Sequence, residues 1–435
     1  MMEEPRHPAV DYQVQNSFGV TPGSSRYGIV ERSWPPLSDQ QSNAINVVHT
    51  IAKGTAVDGK GCFVEFVCTA RNEDGSPIVE ADQIALEHGA GALLISDITV
   101  QVGSQPSTHV ARNDLTRYVY DVFGGEQKRK ALGGSNYYPD REAGVLTVTN
   151  PAFKSAQKQI LDDREFKLVL WLDHLPQFGQ SDPHIPGPSI ISLDIQFSPT
   201  FSRLFKSLTG SPKVTTKPKL YISKARIHFR TATVDPLKTL EIATMLASPE
   251  GIAYNTIVNK AVAVQPGVKS GTFEYSTNGV PTEVPADELL RQVSMFMIDS
   301  VRTNLSVPYM NTRWNYLKQA TLNSESGQVL RQWRDIEDGK VAMFAEFGAR
   351  AVLPAVGSEG SPQYPFDYWR YDQLDIADQD EGALYAYLTG WFDDEIMIQA
   401  PQFARMSYDL SFLGTVADAD VIIVTSTHKI ARITL

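Results

Sequence analysis

Apolar and polar positions alternate with a period of two through much of this chain. In Ala404, Met406, Tyr408, Leu410 and Phe412 every second residue is apolar, and Arg405, Ser407, Asp409 and Ser411 between them are polar. That period predicts a strand with one buried and one wet face. Ile191, Leu193, Ile195 and Phe197 alternate in the same way with Ser192, Asp194, Gln196 and Ser198, and Leu94, Ile98, Val100 and Val102 stand against Asp97, Thr99 and Gln101. Further strands are predicted over 61–70, 144–148, 166–172, 221–230, 271–276, 292–300, 314–322, 341–347, 351–356 and 421–424, and a short helix or strand over 115–122. Turn residues separate these runs, as in NEDGSP at 72–77 and in the Gly- and Pro-rich loop at 357–372. One segment has a helical pattern, 235–246, with Asp235 as N-cap and Pro236 in the first turn.

Many short strands joined by Gly/Pro-rich turns indicate an all-β chain built from β-sandwiches. At 435 residues the chain exceeds the usual single domain. The text divides into an extended N-terminal arm at 1–45, rich in Pro, Ser and Gln, and two halves of similar style. The first runs over 46–234; the second, 235–435, opens with the helix as a link. Each half holds about eight strands, the jelly-roll number. No short sequence period repeats, which argues against a solenoid or propeller.

Composition narrows the chemistry. The net charge is −11, whereas nucleic-acid binding calls for a basic stripe. Lys128, Arg129 and Lys130 form only a three-residue cluster in a glycine-flanked loop, so no nucleic-acid partner is expected. No apolar run reaches the roughly 18 residues of a membrane span, and the N-terminal residues lack a signal-peptide core, so the chain is expected to be soluble and not secreted. The two cysteines, Cys62 and Cys68, lie six residues apart in one predicted strand. That separation, roughly 20 Å, is too long for a mutual disulfide, and they read as small buried hydrophobes.

Catalytic and cofactor signatures are absent from the sequence. The eight histidines show no zinc spacing, and no G-x-S-x-G elbow occurs. The GAG at 89–91 is followed by a strand without the Lys-Ser/Thr of a phosphate loop. His174, beside Asp173 at a strand end, suits a ligand or an ordinary loop hydrogen bond. Lys224, Arg226, His228 and Arg230 share one face of a strand; they suit either a bound anion or, in the preferred reading, acidic groups of an adjoining domain. Asp372, Asp375, Asp378, Asp380 and Glu381, then Asp393, Asp394 and Glu395, form acidic clusters suited to calcium or a glycosidase pair. In an acidic chain they read more simply as solvated surface. Asn304-Leu305-Ser306 is a glycosylation sequon. No catalytic, metal or cofactor residue is therefore assigned.

Four stretches carry a resemblance. They are LLISDITVQVGSQ, PSIISLDIQFSPTF, LYISKARIHFRTATVDPLKTLEIA, and ALYAYLTGWFDDEIMIQAPQFARMSYDLSF followed by DADVIIVTSTHKIARI. In order and in strand–turn style they resemble the double jelly-roll major capsid proteins of large eukaryotic DNA viruses, virophages and polinton-like viruses. The resemblance spans residues 50 to 433. It implies two consecutive eight-stranded jelly rolls and a homotrimer with a six-sided outline, a pseudo-hexameric tile of an icosahedral shell. It also implies neighbouring capsomers, penton and minor capsid proteins as partners, a virion location after assembly inside the host cell, and no enzyme activity. Three other readings stand beside it. One is a minor capsid protein of the same fold. Another is a carbohydrate-binding or carbohydrate-active β-sandwich using Tyr364, Trp369 and Tyr371 with the nearby acids. The third is a receptor-binding or tail-associated β-protein, since a jelly roll hosts many functions.

Overall fold

The computed structural model describes residues 26–37, 44–87, 89–103, 107–114, 117, 151–179, 184–198, 201–207, 218–249, 252–264, 272–276, 289–299, 317–324, 329–333, 386–387, 398–399, 406–412 and 419–433. In chain order the first half holds β1 (Arg26–Leu37), β2 (Ala44–Ile51), β3 (Thr55–Asp58), β4 (Phe63–Arg71), β5 (Ile84–Leu86), β6 (Ile95–Val102), β7 (Thr108–Val110), β8 (Phe166–Trp171), β9 (His184–Pro186), β10 (Ser189–Phe197), β11 (Phe205–Ser207) and β12 (Lys219–Thr233). The second half holds β13 (Ile252–Val264), β14 (Thr272–Ser276), β15 (Leu289–Asp299), β16 (Leu317–Ser324), β17 (Val329–Trp333), β18 (Ala386–Tyr387), β19 (Ile398–Gln399), β20 (Met406–Phe412) and β21 (Ala419–Ile433). Among the described residues the α-helices are α1 (Ala90–Leu93), α2 (Pro151–Lys158), α3 (Pro176–Gly179) and α4 (Pro236–Ala247). No helix among the described residues is long and apolar enough to cross a membrane.

One sheet runs β8-β4-β12-β3-β9, with β1 also paired to β12. A nine-stranded sheet runs β18-β15-β21-β13-β7-β6-β10-β2, with β19 on β15. It crosses from the first half to the second through a parallel contact of β7 with β13, where Val258 faces His109. A third sheet of the second half runs β14-β20-β16-β17.

The first-half core forms where the apolar rows of two sheets meet. Val64, Phe66 and Cys68 of β4 and Ile227 and Phe229 of β12 are buried, as are Ile45 and Val47 of β2 and Leu193 and Ile195 of β10. Rings bridge the sheets. Phe66 meets Phe197 at 5.7 Å between centroids, and His49 lies flat on Phe229 at 4.2 Å. Polar neighbours on each strand face out, as alternation predicts. Both cysteines are buried and free. Burial pushes the Cys62 thiol up to about 12 and raises that of Cys68, so both stay protonated and inert. Cys62 sits in the turn before β4 rather than inside the strand.

The longest first-half strand, β12, breaks its own alternation. Leu220 and Ile222 are buried, but so are Ala225, Ile227 and Phe229, which lie at the opposite parity. The phase changes because Ser223 is an extra residue: Ile222 faces Cys68 and Lys224 faces Val67 on β4, leaving Ser223 unopposed. This is a β-bulge. The Ser223 hydroxyl donates to the Val67 carbonyl at 3.3 Å, and the apolar set stays inward on both sides of the slip.

Several sequence expectations meet the structure with differences. The helix appears as α4, and the Asp235 carboxylate accepts from the Leu237 amide at 2.8 Å, the expected cap. Residues 26–37 of the arm are extended, and they are paired along β12 from Arg26 opposite Thr231 to Leu37 opposite Ile222. Strand β13 was not predicted, although it pairs with β21 over its whole length. β21 itself runs well past the expected 421–424. The sequence reading has a strand directly after the GAG segment; instead GAG enters the short helix α1 ahead of β6, and a Cβ on Gly91 would lie 2.2 Å from the Val169 carbonyl oxygen. That glycine permits a close approach of α1 to β8. The strands predicted at 144–148, 341–347 and 351–356 lie outside the described residues.

Candidate functional site

The basic face of β12 forms an ordered polar surface among the described residues of the first half. In an antiparallel pair, directly opposed residues share a face. The registers of β1, β12, β4 and β8 therefore build three outward rows across four strands. The first is Ile29, His228, Phe63 and Trp171; the second is Glu31, Arg226, Glu65 and Val169; the third is Ser33, Lys224, Val67 and Lys167.

The first row is aromatic. His228 stacks on Phe63 at 4.2 Å with 12° between planes, and Phe63 meets Trp171 at 5.0 Å. Tyr27 closes the end edge-on, 6.1 Å from both Phe63 and His228. Burial among these rings holds the His228 pKa below its ordinary value, and Arg226 and Lys167 nearby act in the same direction against the pull of Glu65. The Nε2 of His228 is buried without a hydrogen-bond partner, so the neutral ring is the form the site favours.

The second row is a chain of ion pairs. Arg226 donates to Glu31 at 2.6 Å and to Glu65 at 3.1 Å, and Lys167 donates to the other oxygen of Glu65 at 2.9 Å. Burial of Glu65 works to raise its pKa, but the hydrogen bonds from Lys167 and Arg226 outweigh that and lower it. Arg226 holds Glu31 below the usual carboxylate range. At one end Arg230 pairs with Asp58 of β3 at 3.4 Å. The sequence left this face open between a bound anion and acidic groups of an adjoining domain. Its acids come instead from β1, β4 and β3 of the same sheet, so the preferred reading needs that correction. Pairing of this kind neutralises the cations and leaves little pull for a free anion.

His174 is part of a separate buried network. Arg117, fully buried, donates to the Asp173 carboxylate and lies 3.1 Å from His174 Nδ1, while His174 Nε2 lies 2.6 Å from Asn113 Oδ1. The amide oxygen can only accept, so Nε2 carries the proton and Nδ1 accepts from Arg117. Both ring nitrogens are thus engaged with side chains, and His174 reads as a structural link rather than a ligand.

The other sequence candidates lie outside the described residues. These are Lys128 to Lys130, Asn304 to Ser306, the aromatics Tyr364, Trp369 and Tyr371, and the acids Asp372, Asp375, Asp378, Asp380, Glu381, Asp393, Asp394 and Glu395. Sequence reasoning missed the aromatic row, because its members come from β1, β4, β8 and β12, far apart in the chain. Only the alternation of each strand separately could have hinted at it.

No protein-family model matches the chain, and no curated protein matches it in sequence. Similarity lies in structure. The chain superposes on a subunit of the PBCV-1 virus capsid with a TM-score of 0.53 at 10% identity, covering 94% of this chain and 95% of that one. On a subunit of the Sputnik virophage the TM-score is 0.51 at 10% identity, covering 98% of this chain and 90% of that one. The likeness runs nearly end to end, so it includes both halves of the chain. The chain has the fold of the double jelly-roll capsid proteins.

Proposed function

We propose that this chain is a structural subunit of a viral capsid, its major shell protein. The observation that carries this is the length of the likeness, 94% and 98% of this chain against proteins of the PBCV-1 capsid and the Sputnik virophage. A shared single sandwich would say little, because jelly rolls host many functions. Two rolls in the same order across the whole chain are a much narrower match. In this reading residues 46–234 form the first roll, and residues 235–435 form the linking helix and the second. Three chains close into a six-sided tower that packs with neighbouring capsomers, with penton and minor capsid proteins at special positions of the shell. The role is mechanical and no catalysis is assigned.

The chemistry of the first half supports a shell protein. On its outer sheet face Lys167, Arg226 and Arg230 are paired with acids of the same sheet, and both cysteines are buried. The test is electron microscopy of the purified chain. Towers with a six-sided outline are expected; a uniform field of single, two-lobed particles would overturn the reading.

A further inference from the structure

The aromatic row on the outer face of the first-half sheet has a use that the fold alone does not give it. We propose that Tyr27, Ile29, His228, Phe63 and Trp171 form the surface that a second copy of this chain covers when copies associate. This rests on the capsid reading and adds the surface to it.

Three observations support the assignment. The first is exposure. Tyr27 is 52% exposed and Ile29 56%. Single exposed apolar residues are ordinary, but these two continue into half-buried Phe63, His228 and Trp171, so the apolar strip crosses four strands. The second is preorganisation. The rings already pack against one another, His228 flat on Phe63, Trp171 tilted and Tyr27 edge-on, so little side-chain freedom remains to be lost on contact. His228 and Phe63 turn their faces toward each other, which suits a flat protein partner better than a planar ligand inserted between them.

The third is charge. Each copy carries −11, so two copies repel unless they meet where acid is scarce or neutralised. On this face stand Lys167, Lys224, Arg226 and Arg230, and Glu31, Glu65 and Asp58 of the neighbouring strands pair with three of them. Four cations against three paired acids leave this face close to neutral on a molecule of net charge −11, so a second copy meets the least repulsion there. Among the described residues the other exposed large apolar side chains are Val48 and Ile190 on the outer side of the opposing sheet, Val79, and Leu237 and Leu240 on α4, which are more exposed one by one but do not continue into a row of rings across a sheet.

The test compares the full chain with Ile29→Asp, Tyr27→Ser and Leu240→Asp by sedimentation across a dilution series. Ile29→Asp sets an unpaired carboxylate in the covered strip. It is expected to raise the concentration at which half the chains are single by at least about tenfold. Tyr27→Ser, which trims only the edge of the row, is expected to act in the same direction and keeps the test open should Ile29→Asp not fold. Leu240→Asp is expected to leave the midpoint unchanged. Folded Ile29→Asp and Tyr27→Ser that associate like the parent overturn this surface and leave the capsid reading intact. A parent chain that stays single at every concentration overturns the capsid reading itself.

Discussion

The bulge at Ser223 makes a test of register that two one-residue changes can read. Deleting Ser223 removes the unopposed residue and nothing inward. Ile222 would then be followed by Lys224 facing out and Ala225 facing in, a regular alternation that keeps Ala225, Ile227 and Phe229 in the core. What is lost is the half-buried hydroxyl bond to the Val67 carbonyl at 3.3 Å, worth about 0.5–1.5 kcal/mol. Inserting one serine after Ile227 does the reverse and turns Phe229 outward. That side chain is fully buried and stacked on His49 at 4.2 Å. Its exposure costs about 2–3 kcal/mol of transfer, and losing the ring pair costs about 0.5–1.5 kcal/mol more. The insertion should therefore destabilise by about 2.5–4.5 kcal/mol against about 1 kcal/mol for the deletion, out of the ~5–15 kcal/mol that holds an ordinary domain. Urea titration followed by circular dichroism reads both midpoints. Equal midpoints for the two variants, or an unfolded Ser223 deletion, would refute the assignment of Ser223 as the residue that resets the face.

Two further changes probe packing and charge. Gly91→Ala should destabilise the first half by about 1–3 kcal/mol, because its Cβ meets the Val169 backbone and no flexible side chain can yield; thermal melting checks this, and an unchanged melting temperature would mean that α1 does not sit this close to β8. Burial lowers the pKa of both His49 and His228, so the unfolded chain takes up their protons first as pH falls through about 6.5. Their contribution to stability is present above that pH and is lost below it until the depressed folded values are passed. Melting temperature should fall between about pH 7 and about pH 5.5, with a shallower slope in a His49→Gln, His228→Gln double variant; equal slopes would count against the imidazoles.

What the sequence made legible was whatever one strand could state on its own. β6, β10 and the stretch of β12 from Lys224 to Arg230 were plain because each alternates within a single run over a deep core. The cap of α4 was plain for a similar reason, since Asp235 and its partner amide are two residues apart. β1 read as an arm because an edge strand, exposed at most positions between Arg26 and Ser33, has little apolar pattern to show, and its identity comes from backbone pairing with β12 almost two hundred residues later. β13 escaped because Asn255, Asn259 and Lys260 interrupt its β-branched run, and its order comes from β21 at the far end of the chain. The bulge in β12 was invisible for a different reason: two adjacent polar residues, Ser223 and Lys224, look the same whether the strand slips or ends. The aromatic row and the acids that neutralise β12 are products of register, and register is a property of pairs of strands.

The most direct measurement is the mass of the purified chain in solution by light scattering, followed on dilution. A capsid subunit of this fold is expected to run as three chains, with a melting temperature that rises with protein concentration. A single chain at every concentration, with a melting temperature independent of dilution, would contradict it.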